Sequence, residues 1–154
     1  MKKIVKIMAI SSLLMFVTGC GSNSTETLTC TKTSTDEDGY KTTDTLEVTA
    51  KNDKVVQVVD TNISETDPDL YDFSYNIYSG FATTFNKVDG INMVYSKEDD
   101  NKIKFVMTVD FTKLNTESIK KTLGDLYDEN NFYNEKDITL EKFKENNLKD
   151  YTCK

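Results

Sequence analysis

The N-terminal twenty residues constrain this chain most strongly, because they decide which residues fold and on which side of a membrane. Lys2, Lys3 and Lys6 precede an apolar run that ends at Thr18-Gly19-Cys20. A basic start, an apolar middle and small residues before a cleavage point are typical of a secretory signal peptide. The apolar run is shorter than the roughly 20 residues that a membrane span needs. The sequence therefore predicts that residues 1–19 are removed.

The end of this segment, Val17-Thr18-Gly19-Cys20, looks like a bacterial lipobox. In a lipobox the Cys receives a diacylglyceryl group and becomes the mature N-terminus, so Cys20 is the predicted lipidation site. Two acyl chains hold a protein firmly on a bilayer. We expect residues 20–27 to form the lipidated N-terminus and a flexible tether, and the protein to be anchored on the extracytoplasmic face of the cell membrane. The alternative is an ordinary Cys beyond an ordinary cleavage site.

The composition removes several classes of function. The chain has no His and no Trp, and all 19 basic residues are Lys. This excludes His-based triads, His metal sites and bidentate Arg clamps. The net charge of −7 becomes more negative once the three N-terminal lysines are removed. An acidic surface disfavours nucleic acid as a partner, and no motif indicates a cofactor.

Cys30 and Cys153 bracket the remaining chain, which we interpret as one domain over residues 28–154. An even number of cysteines on the oxidising side of a membrane favours pairing. A redox role has little support, because the chain has no C-x-x-C motif and no His or Arg to lower a thiol pKa. The sequence therefore indicates a structural disulfide between Cys30 and Cys153, with free or catalytic thiols as the alternative.

In the first half of this domain, the side-chain types alternate with the two-residue period of β-strands. Residues 28–33 form a short first strand, and the Asp36-Glu37-Asp38-Gly39 cluster is typical of a turn. The next strand places one set of side chains on a single face: Tyr40, Thr42, Asp44, Leu46, Val48 and Ala50. After a turn at residues 52–53, residues 54–59 form a third strand rich in β-branched residues. Together they predict a three-stranded meander.

A helical period begins at Asp67-Pro68, where Asp67 can cap the helix and Pro68 suits its first position. Apolar residues then recur at spacings of three and four: Leu70, Phe73, Ile77, Phe81 and Phe85. This pattern predicts an amphipathic helix. A second stripe beside the first consists of Tyr71, Tyr75, Tyr78 and Ala82.

The residue pattern in the second half of the domain predicts a hairpin followed by helices. Residues 91–95 and 103–111 alternate around an acidic turn. Thr116 can cap a helix that carries Ile119, Leu123, Leu126 and Tyr127, and a polar loop follows at residues 128–137. Thr139 opens a short helix, and residues 148–153 form the closing strand. This order predicts an α+β domain: an antiparallel sheet built from hairpins and a meander, packed on one face by two or three helices.

This arrangement resembles the YehR-like family of small bacterial lipoproteins. The resemblance rests on the order of lipobox, meander, aromatic helix and hairpin, with the segments Gly90-Ile91-Asn92-Met93-Val94-Tyr95 and Phe105-Val106-Met107-Thr108-Val109-Asp110-Phe111, and on Ile138-Thr139-Leu140-Glu141-Lys142-Phe143 near the end. It covers essentially the whole mature chain. The resemblance implies an α+β lipoprotein domain, and its motifs contain no catalytic signature.

Acidic clusters are the first candidates for chemistry. Asp36-Glu37-Asp38, Glu98-Asp99-Asp100 and Asp128-Glu129 carry the carboxylates that Ca²⁺ prefers. None of them has the ligand spacing of a calcium-binding loop, and all lie where turns are expected. Solvated turns therefore explain them better, and the sequence predicts no metal site.

The tyrosine stripe Tyr71, Tyr75 and Tyr78 is the remaining candidate, as the lining of a ligand groove. The other interpretation is the solvated edge of a core helix. We therefore expect a non-enzymatic binding or structural module of the cell envelope, anchored to the membrane through Cys20 and contacting a small ligand or an envelope protein. The alternative function is an envelope hydrolase or inhibitor-like domain that acts through carboxylates or through the tyrosine groove.

Overall fold

The structure is a computed structural model that describes residues 24–124 and 137–154. Its strands are β1 (Thr25–Thr35), β2 (Lys41–Lys51), β3 (Lys54–Glu65), β4 (Ile91–Asp99), β5 (Lys102–Asp110) and β6 (Thr152–Cys153). Its α-helices are α1 (Tyr71–Phe85), α2 (Thr116–Leu123) and α3 (Leu140–Asn147), and a 3-10 turn, Pro68–Leu70, precedes α1. None of the helices in these ranges is long and apolar enough to cross a bilayer.

The strands form one antiparallel sheet in the order β4-β5-β3-β2-β1-β6. The predicted α+β class is confirmed, with three helices packed on the sheet. The meander β1-β2-β3 and the hairpin β4-β5 are the predicted units. They join through pairing of β3 with β5, because α1 carries the chain across to the sheet edge before β4 begins.

Short turns set the register of the meander. Asp36 Oδ1 accepts hydrogen bonds from the amides of Asp38 and Tyr40, and Gly39 supplies a φ of 91°. Asn52 and Asp53 both adopt positive φ between β2 and β3, as a tight hairpin turn requires. The first strand begins at Thr25, so residues 25–27 of the predicted tether lie in β1, opposite residues 49–51 of β2.

The strand register decides which side chains share the helix-covered face. One row across the sheet consists of Leu28, Val48, Val58, Val109 and Ile91, in that order. These residues pack with Ile119 of α2 and Phe143 of α3, both with no exposed surface. The apolar core therefore occupies the end of the sheet near Thr25. At the other end the same face carries polar side chains.

Helix α1 turns a different face to the sheet from the one its apolar stripe indicates. The predicted cap is present, since Asp67 Oδ1 accepts from the amide of Asp69 at 2.8 Å, but residues 68–70 form the 3-10 turn. Tyr71 and Ala82 are buried, whereas most of the apolar stripe is exposed: Leu70, Phe73, Ile77 and Phe81. Phe73 is 65% exposed. The tyrosine stripe faces the protein because strand β4 lies under that side.

The last elements differ in detail from their predictions. Asn115, rather than Thr116, caps α2, because its Oδ1 accepts from the amides of Glu117 and Ser118. Thr139 caps α3 as predicted. The closing strand spans two residues instead of 148–153, since the chain turns at residues 149–150. Leu126, Tyr127 and residues 128–136 of the predicted loop lie outside the described residues, as does Cys20.

Cys30 and Cys153 form the disulfide that the sequence indicates. They lie opposite each other where β6 pairs with β1. The amide of Lys154 donates to the carbonyl of Thr29 at 2.9 Å beside the bridge. Cys30 is fully buried, so the crosslink fixes the C-terminus against the core.

Candidate functional site

Tyr71 fixes the start of α1 on the β4-β5 hairpin. Its hydroxyl donates to the carbonyl of Asp99 at 2.9 Å and lies 3.2 Å from the carbonyl of Lys102. The side chain is buried. Tyr71 is therefore in contact with the ends of both hairpin strands, and its hydroxyl is used within the fold.

Tyr75 lies under the ammonium group of Lys97. The Lys97 Nζ atom is 4.6 Å from the ring centre of Tyr71 and 5.1 Å from that of Tyr75. The same ammonium forms an ion pair with Asp72 at 2.5 Å. Its hydrogen bond to Asp72 raises the pKa of Lys97. This part of the tyrosine stripe already holds a positive charge from the chain itself.

Tyr78 begins an aromatic stack that continues onto the sheet. Its ring lies parallel to that of Tyr95 on β4, with ring centres 5.5 Å apart. Tyr95 in turn contacts Phe105 on β5, with ring centres 5.0 Å apart. Burial raises the pKa of Tyr95 to about 12, so its hydroxyl stays protonated at neutral pH. The three rings form one wall between helix and sheet.

This wall borders a groove of about 400 Å³ between α1 and the polar end of the sheet. We refer to it as the aromatic groove. Its lining comes from β2, β3, the residue after β3, α1, β4 and β5: Thr42, Asn62, Ser64, Glu65, Thr66, Ser74, Tyr78, Tyr95, Ile103 and Phe105. Of the three predicted groove tyrosines, Tyr78 lines it, whereas Tyr71 and Tyr75 lie beside it under Lys97.

The floor of the aromatic groove is a directed chain of hydrogen bonds. Thr42 Oγ1 donates to Ser64 Oγ at 3.3 Å, and Ser64 Oγ donates to Asn62 Oδ1 at 2.6 Å. Asn62 Nδ2 then donates to Asp44 Oδ1. Both hydroxyl protons are therefore engaged, and the chain ends on a carboxylate. Such a network offsets the free energy of removing its polar groups from water only when each group has a hydrogen-bond partner.

Asp60 is the carboxylate that the fold explains least. The strand register places it in a row with Cys30, Leu46, Met107 and Met93, where every other side chain is apolar. Its Oδ1 atom is buried without a hydrogen-bond partner. Burial, and secondarily the charge of Asp44, raises the pKa of Asp60 to about 6. A buried carboxylate oxygen without a hydrogen-bond partner costs stability, and the apolar packing of this row does not explain it.

Sequence reasoning found part of this site. Thr42 and Asp44 were expected on the face of Leu46 and Val48, and the register confirms that they share it. The predicted third strand ended at residue 59 and so missed the polar floor of β3. A signal was available, because Asp60, Asn62 and Ser64 continue the period-two alternation from Val58. Of the acidic segments interpreted as turns, Asp36-Glu37-Asp38 and Glu98-Asp99-Asp100 do not line the groove, and Asp128-Glu129 lies outside the described residues. Across residues 24–124 and 137–154, no group of three or more metal-ligating side chains converges.

Two solved structures are similar to this chain. A protein from Streptococcus pneumoniae TIGR4, solved by NMR, superimposes with a TM-score of 0.59 at 12% identity, covering 99% of each chain. The E. coli YehR protein, also solved by NMR, superimposes with a TM-score of 0.56 at 13% identity, covering 80% of this chain and 86% of that chain. No protein-family model and no curated protein matches.

These similarities define the class of the domain as an α+β domain with a YehR-like fold. The fold that the sequence resemblance implied is therefore supported. At such low identity the structures carry information on the fold alone. The assignment of chemistry consequently depends on the groove of this chain.

Proposed function

We propose that this protein is a lipid-anchored, extracytoplasmic binding module that presents the aromatic groove to a small ligand. The observation that carries the proposal is the position of the groove relative to the anchor. Thr25 begins β1 at one end of the sheet, whereas the groove residues Thr42 and Ser64 lie level with Ser34 at the other end. At about 3.3 Å per residue, this separates groove and anchored end by about 30 Å.

The proposed anchor holds the opposite end close to the bilayer. Three residues, and hence four Cα–Cα steps, separate Cys20 from Ser24, the first described residue. The amide of Asn52 donates to the Ser24 carbonyl at 2.9 Å. Covalent geometry limits the reach of such a linker to about 14 Å. In this proposal the core end of the sheet faces the membrane, and the groove opens away from it into the aqueous phase.

Intact-mass analysis of the full chain, expressed in a bacterium and extracted from its membranes, tests the anchor. We expect the mass of residues 20–154 plus acyl chains, and two further thiols to become alkylatable after reduction. The Cys20→Ser variant is the matched control, and we expect it to carry no acyl chains. An unacylated protein that keeps residues 1–19 would refute the anchor.

The alternative function, an envelope hydrolase, has one observation in its favour. Asp44 and Asp60 are neighbouring carboxylates, and burial raises the pKa of Asp60 to about 6, toward the range in which a carboxyl group can act as a general acid. Neither residue lines the aromatic groove, where the lining carboxylate is Glu65. Asp44 Oδ1 is also occupied by Asn62. Binding without catalysis therefore fits the geometry better.

Chromogenic glycosides and esters can separate these two functions. We expect the wild-type protein and the Asp60→Asn variant to show the same background hydrolysis. A turnover that wild type has and Asp60→Asn lacks would favour the hydrolase. The Glu47→Gln variant controls for loss of a carboxylate alone, because Glu47 is exposed on the opposite face of β2.

A further inference from the structure

We infer that the aromatic groove selects ligands with a positive charge, namely organic ammonium compounds. This inference rests on the proposed binding function and adds the ligand class to it. Three independent features of the groove carry it: the sign of the fixed charges, the direction of the hydrogen bonds and the aromatic wall.

The fixed charges at the groove are predominantly negative. Glu65 lines it, Asp44 lies directly behind Asn62 of the floor, and Asp60 is next to Asp44. The neighbouring lysines are already paired. Lys102 lies 3.7 Å from both Glu65 and Asp99, Lys97 pairs with Asp72, and Lys32 pairs with Asp150 at 3.3 Å. Asp44 and Asp60, unlike Glu65, form no salt bridge with a described lysine. An anionic ligand would therefore meet repulsion from these two carboxylates, and a cation would be attracted to them.

The hydrogen-bond chain of the floor favours a ligand that donates. The hydroxyl protons of Thr42 and Ser64 both point along the chain toward Asp44. What these two hydroxyls offer a ligand is consequently oxygen lone pairs. An ammonium group or its polarised methyl groups can approach such oxygens, whereas a carboxylate or phosphate cannot.

The third feature is the aromatic wall, and the chain itself contains a contact between an ammonium group and aromatic rings. One turn away on α1, the rings of Tyr71 and Tyr75 hold the ammonium of Lys97. Among the described residues, no lysine ammonium lies over the rings of Tyr78, Tyr95 or Phe105. Aromatic faces attract cations, most strongly where water is partly excluded. The groove therefore repeats the chemistry of the Lys97 site without its cation.

Matched probes test the charge preference on the mature protein in detergent micelles. Choline and 3,3-dimethylbutan-1-ol have the same shape and differ in charge, and 3,3-dimethylbutanoate is the anionic counterpart. Ethanolamine replaces the methyl groups of choline by N–H donors. Binding is followed by calorimetry and by amide chemical shifts of Asn62, Tyr95 and Phe105. We expect saturable binding of choline or ethanolamine that is at least about ten-fold tighter than that of the uncharged alcohol.

Variants locate the interaction. We expect Asp44→Asn and Tyr78→Leu each to weaken ammonium binding by about three-fold or more. Tyr78 is 45% exposed, so its replacement leaves the core intact. Glu47→Gln, which removes a carboxylate from the opposite face, is expected to bind as wild type does. Equal loss in Glu47→Gln would mean that net charge alone is responsible, and would overturn the inference.

The outcomes separate this inference from the proposed function. If the alcohol binds as tightly as choline, or the carboxylate binds more tightly, with shifts at the groove amides, then the charge preference is wrong and the binding groove stands. If no probe of any charge moves the groove amides, then both are wrong. Tighter binding of ethanolamine assigns the main role to the carboxylates, and tighter binding of choline assigns it to the rings.

Discussion

The side-chain amide of Asn86 pairs with the backbone of Met93 as a neighbouring strand would. Asn86 Nδ2 donates to the Met93 carbonyl at 2.9 Å, and the Met93 amide donates to Asn86 Oδ1 at 2.5 Å. Asn86 follows the last residue of α1, and Met93 lies in β4 at the edge of the sheet. The amide thus ties the helix to the sheet and covers part of an edge that is open to pairing with other chains.

Replacing Asn86 by Ala removes both hydrogen bonds and leaves two backbone groups without their partner. We expect the free energy of unfolding to fall by about 1–3 kcal/mol, measured by urea denaturation, and the Met93 amide to exchange faster. Asn86→Asp is the control, because it keeps the acceptor and loses the donor, and its loss should be smaller. Unchanged exchange at Met93 in Asn86→Ala would show that the pair contributes nothing.

Asp60 makes stability depend on pH. Its pKa is raised from 3.8 to about 6 on folding, so the folded state binds more protons than the unfolded state between these values. Stability contributed by this group is therefore present at low pH and is lost as the pH rises to about 6 and above. We expect the free energy of unfolding to fall by about 2 kcal/mol over this range. This is less than the free energy that corresponds to the whole pKa change, because the carboxyl group stays partly solvated.

The Asp60→Asn variant should lack this pH-dependent loss. The comparison is the difference in urea midpoint between pH 4.5 and pH 7.5, for wild type and variant. The difference between the two proteins isolates Asp60 from carboxylates such as Asp110, whose pKa is lowered by its hydrogen bond with Lys113. If both proteins lose the same stability over this range, Asp60 is not the responsible group.

Two glycines should respond in opposite directions to replacement by Ala. Gly90 has a φ of 86°, and a Cβ there would lie 2.7 Å from the carbonyl oxygen of Asp110. We expect Gly90→Ala to cost about 2–3 kcal/mol through strain and displacement. Gly80 lies on α1 with no atom within 4 Å of an added Cβ. Gly80→Ala should therefore stabilise the protein by up to about 1 kcal/mol, measured by thermal unfolding.

The exposed apolar stripe of α1 should contribute little to folding. Phe73 is 65% exposed, so we expect Phe73→Ala to change the free energy of unfolding by less than about 0.5 kcal/mol. Phe143 of α3 has no exposed surface, and Phe143→Ala should cost about 3–5 kcal/mol. Comparable losses in the two variants would mean that Phe73 packs against the protein.

The disulfide should stabilise the domain by restricting the unfolded chain. Its two cysteines are separated by 123 residues, and removal of a bridge typically costs about 2–5 kcal/mol. Cys153→Ser is the informative variant, because Cys153 is exposed. The hydroxyl of the introduced serine therefore stays in water. We expect it to match reduced wild type in urea denaturation. A much greater loss in Cys30→Ser would report the packing of the buried Cys30 separately.

The local predictions that proved correct concern residues that lie close together in the sequence. The alternation in β2 placed Thr42, Asp44 and Leu46 on one face, and Asp67 and Thr139 were correct as caps because capping is a contact within one turn. The polar floor was incomplete in prediction because β3 extends beyond Val59, held by pairing with β5, which comes about fifty residues later in the chain. The alternation of Asp60, Asn62 and Ser64 indicates the longer strand, but local periodicity contains no information about the strand that pairs with it.

The sequence by itself determined which side chains share a face and hence the α+β class, because strand and helix periods are properties of the backbone. The tertiary structure alone decided which face is covered. Helix α1 turns its tyrosine stripe toward the hairpin and leaves Leu70, Phe73 and Ile77 exposed, because Tyr71 bonds the hairpin and Tyr78 stacks on Tyr95. The register of β3 between β2 and β5 likewise brings Asp44, Asn62 and Phe105 together, since only pairing between distant strands fixes what lies side by side.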